Sequence, residues 1–141
     1  MPTPLFLGGE EIQFLALEHV EFIHEKALLT GGRQGVLRYD NIESAISRPK
    51  LVHDYDDSAD LVRLAAYTWH AIATCHGFTD GNKRTAFLCA ITFLEANGVQ
   101  LHETVDPKET GQWIDALFRE SRFEIEILEH WLRTRSIWIS E

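Results

Sequence analysis

The chain has 141 residues, the ordinary length of one domain. Its apolar and charged fractions, 45% and 25%, are those of a globular protein and not of a disordered one. Thirteen Lys and Arg face 22 Asp and Glu, a net charge of −9, which argues against a general nucleic-acid binder, because neutralising phosphates needs a basic face.

A single domain over residues 1–141 is therefore expected. The first ten residues, Met1 to Glu10, lack the positive n-region of a signal peptide, and no apolar run approaches the length that crosses a bilayer. A cytoplasmic protein without membrane contact is expected. Cys75 and Cys89 form no C-x-x-C pair and read as small buried hydrophobes in a reducing compartment.

In chain order, Ile12, Leu15, Phe22, Ile23 and Ala27 recur at near-helical spacing and predict a first helix over Glu10–Leu29, stopped by Gly31-Gly32. A short helix is expected over Tyr39–Ser47, ended by Pro49. Lys50–Asp57 is polar, acidic and aperiodic, and reads as an exposed loop or small hairpin. Asp57 or Ser58 can cap the next helix, Ala59–Cys75, whose apolar face includes Leu61, Val62, Trp69 and Ile72.

After the loop His76–Gly81, the helix Asn82–Asn97 is apolar on every side, which predicts burial at the domain centre. Leu88 should then be core, and its replacement by Ala should cost about 2–5 kcal/mol. Val99–Leu101 is a short extended piece. Asp106 as N-cap with Pro107 at N1 opens another helix, and Ser121-x-x-Glu124 reads as a capping box for a last helix to about Arg135. Helix following helix, with almost no strand, indicates an all-α domain of about six helices around one buried central helix.

Chemistry concentrates in one place, His76-Gly77-Phe78-Thr79-Asp80-Gly81-Asn82-Lys83-Arg84. This loop feeds directly into the central helix. A helix N-terminus presents unsatisfied N–H groups and a partial positive charge, and Gly81 lets a ligand approach the backbone. Lys83 and Arg84 stand at the electrostatically wrong end of a helix, a conflict that a bound phosphate resolves. Neutralising Arg84 should then leave the ligand-free protein as stable or slightly more stable. Asp80 beside phosphates suits Mg²⁺, which keeps most of its shell as water and phosphate oxygens. A neutral His76 can take a proton from an attacking hydroxyl, and Phe78 should point into the core and pin the loop. The other histidines are scattered, and a zinc site is not expected.

These nine residues resemble the active-site motif of the Fic/Doc family in its Doc, or death-on-curing, form: His-x-Phe-x-Asp/Asn-Ala/Gly-Asn-Lys-Arg. Thr30-Gly-Gly, the run from Gly35 to Asp40, and Ile42 to Pro49 also look like the region before the Doc active site. The resemblance implies a compact helical bundle and His76 as general base. It implies Asp80 as Mg²⁺ ligand and Gly81, Asn82, Lys83 and Arg84 as the nucleotide-phosphate cradle, with Asp80, Lys83 and Arg84 acting alongside His76 in catalysis. By position it suggests that the Lys50–Asp57 segment is a flap that aligns a target chain by strand-like pairing.

The departures from the wider Fic pattern, which resembles His-Pro-Phe-x-x-Gly-Asn-Gly-Arg-x-x-Arg, are Gly77 for Pro, Lys83 for Gly and Phe87 for the second Arg. They favour the Doc branch, which looks like a kinase. It moves the γ-phosphate of ATP to a Ser or Thr hydroxyl of a protein, a translation elongation factor, and so arrests translation. No Glu is followed by Gly or Asn, so an inhibitory Ser/Thr-x-x-x-Glu-Gly/Asn segment is missing and a separate antitoxin in trans is expected. Transfer of AMP or another nucleotide, a catalytically silent protein-binding module and a metal-dependent phosphohydrolase remain the alternatives.

Overall fold

The computed structural model describes residues 11–138. Six α-helices carry almost all the regular structure among them: α1 (Leu17–Ala27), α2 (Tyr39–Tyr55), α3 (Leu61–Thr74), α4 (Asn82–Ala96), α5 (Pro107–Arg119) and α6 (Ile125–Arg135). A single 3₁₀ turn, Leu28–Thr30, extends α1. Two three-residue strands, β1 (Val99–Leu101) and β2 (Ser136–Trp138), pair antiparallel with Val99 opposite Trp138. The all-α architecture expected from the periodicities is the one observed.

The packing centre is the α3–α4 pair. Leu61, Leu64, Ala65, Ala66, Trp69 and Ile72 of α3 are buried, as are Ala86, Cys89, Ala90, Phe93 and Leu94 of α4. Trp69, wholly buried, is ringed by Phe87, Trp113, Phe123 and Trp131 at centroid distances of 5.1–6.4 Å. These aromatic contacts tie α3 to α4, α5 and α6. Burial lifts the Cys89 thiol to about 12, so both it and the half-buried Cys75 are packing residues, as expected.

Six local expectations need correction. The first helix starts at Leu17, and Glu10 lies outside the described residues. The stretch before it is held non-helical by Asn97, whose side-chain amide both accepts from Gln13 N–H (2.8 Å) and donates to Gln13 C=O (3.0 Å). The second helix does not stop at Pro49 but runs to Tyr55. The buried proline ring sits on the face of α2 that carries Ile42 and Ala45 into the core, and that packing offsets the lost backbone bond. Lys50–Tyr55 is therefore helical, its backbone bonded within the helix, and it is not a hairpin or a strand-pairing flap.

The cap of α3 is Asp60, whose Oδ1 accepts from Arg63 N–H at 3.0 Å. Asp57 and Ser58 belong to the preceding turn, where Asp56 takes both the N–H and the hydroxyl of Ser58. Ser121 does not cap α6. Its φ of +56°, together with the Arg122 N–H to Leu117 C=O bond of 2.8 Å, makes it the left-handed residue that terminates α5. Glu124 is the N-cap of α6, without a side-chain cap bond. Finally, α4 is apolar all round yet not buried all round: Phe87, Leu88 and Ile91 are half-buried and form one wall of a cleft. Asp106 and Pro107 open α5 as expected.

Two consequences are measurable. Leu94→Ala, at a wholly buried site, should cost about 2–5 kcal/mol in denaturant unfolding. Leu88→Ala should cost clearly less, because the half-buried side chain loses less contact. Asp60 also accepts a two-pronged bond from Arg133 of α6 (2.8 and 3.1 Å). Burial acts to raise its pKa, but the Arg133 bond and charge and the Arg63 N–H outweigh it, so the carboxyl sits below its ordinary value. A depressed carboxyl stabilises the fold above the unfolded pKa, near 4, and that contribution disappears as pH falls through the lower folded value. Asp60→Asn should therefore flatten the acid limb of a stability–pH curve measured between about pH 5 and 2.

Candidate active site

The seven residues between α3 and α4 are shaped by backbone pairing with a segment forty residues earlier. α3 ends at Thr74, and the Cys75 carbonyl is taken by the Asn41 amide at 2.8 Å. His76 then adopts φ +54°, a left-handed conformation uncommon outside glycine and enriched at functional positions. The Gly77 carbonyl accepts from Leu37 and Arg38 N–H (2.8 and 3.1 Å), Val36 bridges Phe78, and Thr79 N–H donates to Gly35 C=O at 2.9 Å. Strand-like pairing next to the site thus comes from residues 35–38, not from Lys50–Asp57. Gly77 has no space for a side chain, since a Cβ there would lie 2.3 Å from Cγ1 of buried Ile42. The glycine in place of the wider family's proline therefore follows from this packing.

Phe78 is buried as expected, and its ring stacks on His24 of α1 at 3.7 Å and 9°. His24 is itself buried and bonds the Asp80 carbonyl through Nε2 at 2.8 Å. A carbonyl only accepts, so Nε2 carries the proton. His24 is the site residue that motif reading misses. The available signal is its place on the inward stripe of α1 with Val20, Ile23 and Ala27, where a polar side chain requires a partner.

Asp80 is exposed. Its Oδ2 accepts from Arg33 N–H (3.1 Å) and its Oδ1 from Gly81 N–H (2.8 Å). Those two bonds, helped by the charges of Arg84 and Arg33, hold the carboxyl below its ordinary range, so it is an anion at neutral pH. Gly81, at φ +79°, is the N-cap of α4 and provides no side-chain cap. No protein acceptor meets the N–H groups of Asn82, Lys83 or Arg84 among the described residues. The Asn82 side chain faces inward instead and clasps the Phe78 backbone from both sides (3.1 and 3.0 Å). Its contribution to a cradle is thus its N–H, while its amide closes the loop.

The two cations have protein partners. Lys83 Nζ lies 3.1 Å from Asp115 and 4.6 Å from the centre of the Phe118 ring. Nη1 of Arg84 donates to the carbonyls of Ala27 and Gly31 and to the Thr30 hydroxyl. These acceptors lie at the C-terminal end of α1, where a cation is favourable. The charge conflict at the start of α4 is therefore answered partly by α1 and α5, without an anion. Both cations still line the large cleft.

That cleft, of about 900 Å³, is lined by Asp80, Gly81, Asn82, Lys83 and Arg84 together with the apolar Phe87, Leu88, Ile91, Leu101, Val105 and Ile114. Phe87, where the wider pattern has a second arginine, packs on Trp69 and Trp131. The structure does not place His76 in this cleft. His76 is exposed and borders a separate hollow of about 440 Å³ with Asn41, Arg48, Tyr67 and His70. His76 and the Asp80–Arg84 group thus line different hollows. His76 has no protein hydrogen bond among the described residues, so none holds its ring on that side. No group of three or more His, Cys, Asp or Glu suited to a metal occurs among the described residues.

Residues 14–94 match the family model described as Fic/DOC family. The chain is 35% identical over 91 residues to Toxin Doc of Mycolicibacterium smegmatis, an alignment covering 64% of this chain and 70% of that protein. It is 36% identical over 74 residues to Protein kinase doc of Escherichia phage P1, covering 52% of this chain and 59% of that protein.

The bonds of Arg84 reverse the expectation drawn from charge alone. Arg84→Gln should destabilise the ligand-free protein by about 1–3 kcal/mol, the range for hydrogen bonds to a charged group. A thermal or denaturant melt of the two proteins measures it, and Arg84→Lys should recover part of the loss.

Proposed function

Because the chain belongs to the Fic/DOC family, we propose that it is a Doc-type toxin that transfers the γ-phosphate of ATP to a Ser or Thr hydroxyl of a protein and is held in check by an antitoxin supplied in trans. The observation that carries this reading is the start of α4: three backbone N–H groups without protein acceptors among the described residues, two cations and an ionised Asp80, all lining a nucleotide-sized cleft. Such an arrangement receives an anion, and phosphoryl transfer asks mainly for positioning and charge stabilisation.

Each residue has a role in this reading. The N–H groups of Asn82, Lys83 and Arg84 hold phosphate oxygens. Among the described residues, Nη2 and Nε of Arg84 make no hydrogen bond while Nη1 is tethered to α1, so the guanidinium can turn its remaining N–H groups to the cleft it lines. The Asp80 oxygens each accept one N–H bond and keep further lone pairs. One such carboxylate with phosphate and water oxygens is the donor set Mg²⁺ uses, so the residues present fit the ion. When bound, Mg²⁺ would neutralise charge on the phosphates. His76 is the proposed acceptor of the hydroxyl proton, a role that requires its side chain to be brought from its own hollow to the cleft lined by Asp80. The apolar walls of the cleft, Leu88, Ile91 and Ile114, suit the base of the nucleotide.

Phosphate transfer is preferred over AMP transfer because Phe87 removes the second arginine and Lys83 fills the position of a glycine. The name of the phage relative, a protein kinase, agrees. A translation elongation factor is the proposed target, on family resemblance. The trans-acting antitoxin is supported by the name Toxin Doc and by the lack of any Glu followed by Gly or Asn.

His76→Gly tests the base. Relief of the left-handed backbone, about 1 kcal/mol, and the added entropy of glycine, of similar size, should leave stability nearly unchanged. Transfer should fall by about 10²–10⁴. Incubating an extract with γ- or α-labelled ATP reads both points. Label from the γ position identifies a kinase, label from the α position identifies nucleotide transfer, and undiminished labelling by folded His76→Gly protein removes His76 from the mechanism.

A further inference from the structure

We infer that His24 is a positioning residue for the Asp80–Gly81 peptide, and through it for the carboxylate and the start of α4; this rests on the reading of Asp80 as the metal-binding group. A trans peptide is rigid and carries its C=O and N–H on opposite sides. On one side of the 80–81 peptide, the Asp80 carbonyl is bonded by Nε2 of His24 at 2.8 Å. On the other, Gly81 N–H holds Oδ1 of Asp80 at 2.8 Å. One imidazole therefore sets a peptide plane whose opposite face aims the carboxylate.

The imidazole is held in turn. It is 5% exposed, comes from the inward stripe of α1, and stacks face to face on Phe78 of the same loop. Its edge also fills the space beside Gly81, where a Cβ would lie 3.7 Å from Cδ2 of His24. Gly81 stands in a left-handed conformation with no side chain to restrain it. Without the histidine bond, rotation of the 80–81 plane would move both the carboxylate and the first N–H groups of α4. Partners of this kind that orient a ligating group change metal affinity by about 10- to 100-fold when removed.

His24→Phe keeps a flat ring on Phe78 and deletes the donor. His24→Gln deletes the ring and keeps an N–H donor at a reach close to that of Nε2. In the full chain, titrated with Mg²⁺ and ATP by calorimetry, His24→Phe should weaken Mg²⁺-dependent ATP binding by about 10-fold or more, and His24→Gln should recover most of it. In nitrogen-15 NMR of the metal-free protein, exchange of the Gly81 amide should be roughly 5-fold or more faster in His24→Phe than in wild type, as expected for the loss of one hydrogen bond.

Affinity within 3-fold of wild type, or unchanged Gly81 exchange, in a folded His24→Phe protein overturns the assignment. So does a loss that His24→Gln does not recover, which would make the ring a packing element alone. A wild-type protein that binds no Mg²⁺–ATP would sink the kinase reading, and the Gly81 exchange rates would still decide whether His24 sets this peptide.

Discussion

The structure depends on the burial of Phe78. A seven-residue connection between two core helices has to carry a charged, exposed site, and it forms no helix or strand of its own. One aromatic ring anchors it. Phe78 enters the core beneath α1, its backbone is clasped by Asn82, and its neighbours Gly77 and Thr79 pair with residues 35–38. With the loop fixed at its centre, its two ends are fixed as well: His76 projects on one side and Asp80 and Gly81 on the other. Rigid support under a polar loop is what lets a loop carry chemistry.

Around this anchor the polar groups divide into those that hold the loop and those left for a ligand. The Asn82 amide, Nη1 of Arg84 and Nε2 of His24 are engaged with backbone carbonyls or the Phe78 backbone. The first three N–H groups of α4 and the outer lone pairs of Asp80 are not. Residues of one motif thus perform different physical tasks, and the distinction shows only in their partners. Arg84 does both. It draws the C-terminal end of α1 toward the start of α4, joining two helix ends of opposite dipole, and also lines the cleft.

The cleft is a consequence of α4 being apolar on all sides but covered on only some. The wall of Phe87, Leu88 and Ile91 is left facing α5 and the β1–α5 connection across a gap. An apolar channel that ends at an ionised carboxylate and free N–H groups is suited to a ligand with an apolar ring at one end and anionic groups at the other. His76 lines a separate hollow with Asn41, Arg48 and Tyr67.

The sequence by itself determined the helical class, the central place of α4, the opening of α5 at Asp106 and Pro107, and the segment that carries the family resemblance. These features are local: apolar periodicity, proline and glycine positions, and a nine-residue motif all act within a few turns of chain. It misjudged Pro49, Asp60 and Ser121, where the outcome lies in a competition between a local preference and a packed face or a helix-ending bond. It could not show what His24 and Arg84 do. Their partners lie 56 and 57 residues away, and hydrogen bonds across such separations exist only once α1 has docked beside α4. Tertiary structure alone decided which motif side chains hold the loop, which face the cleft, and that His76 stands apart from Asp80, because those are properties of the packed arrangement of helices.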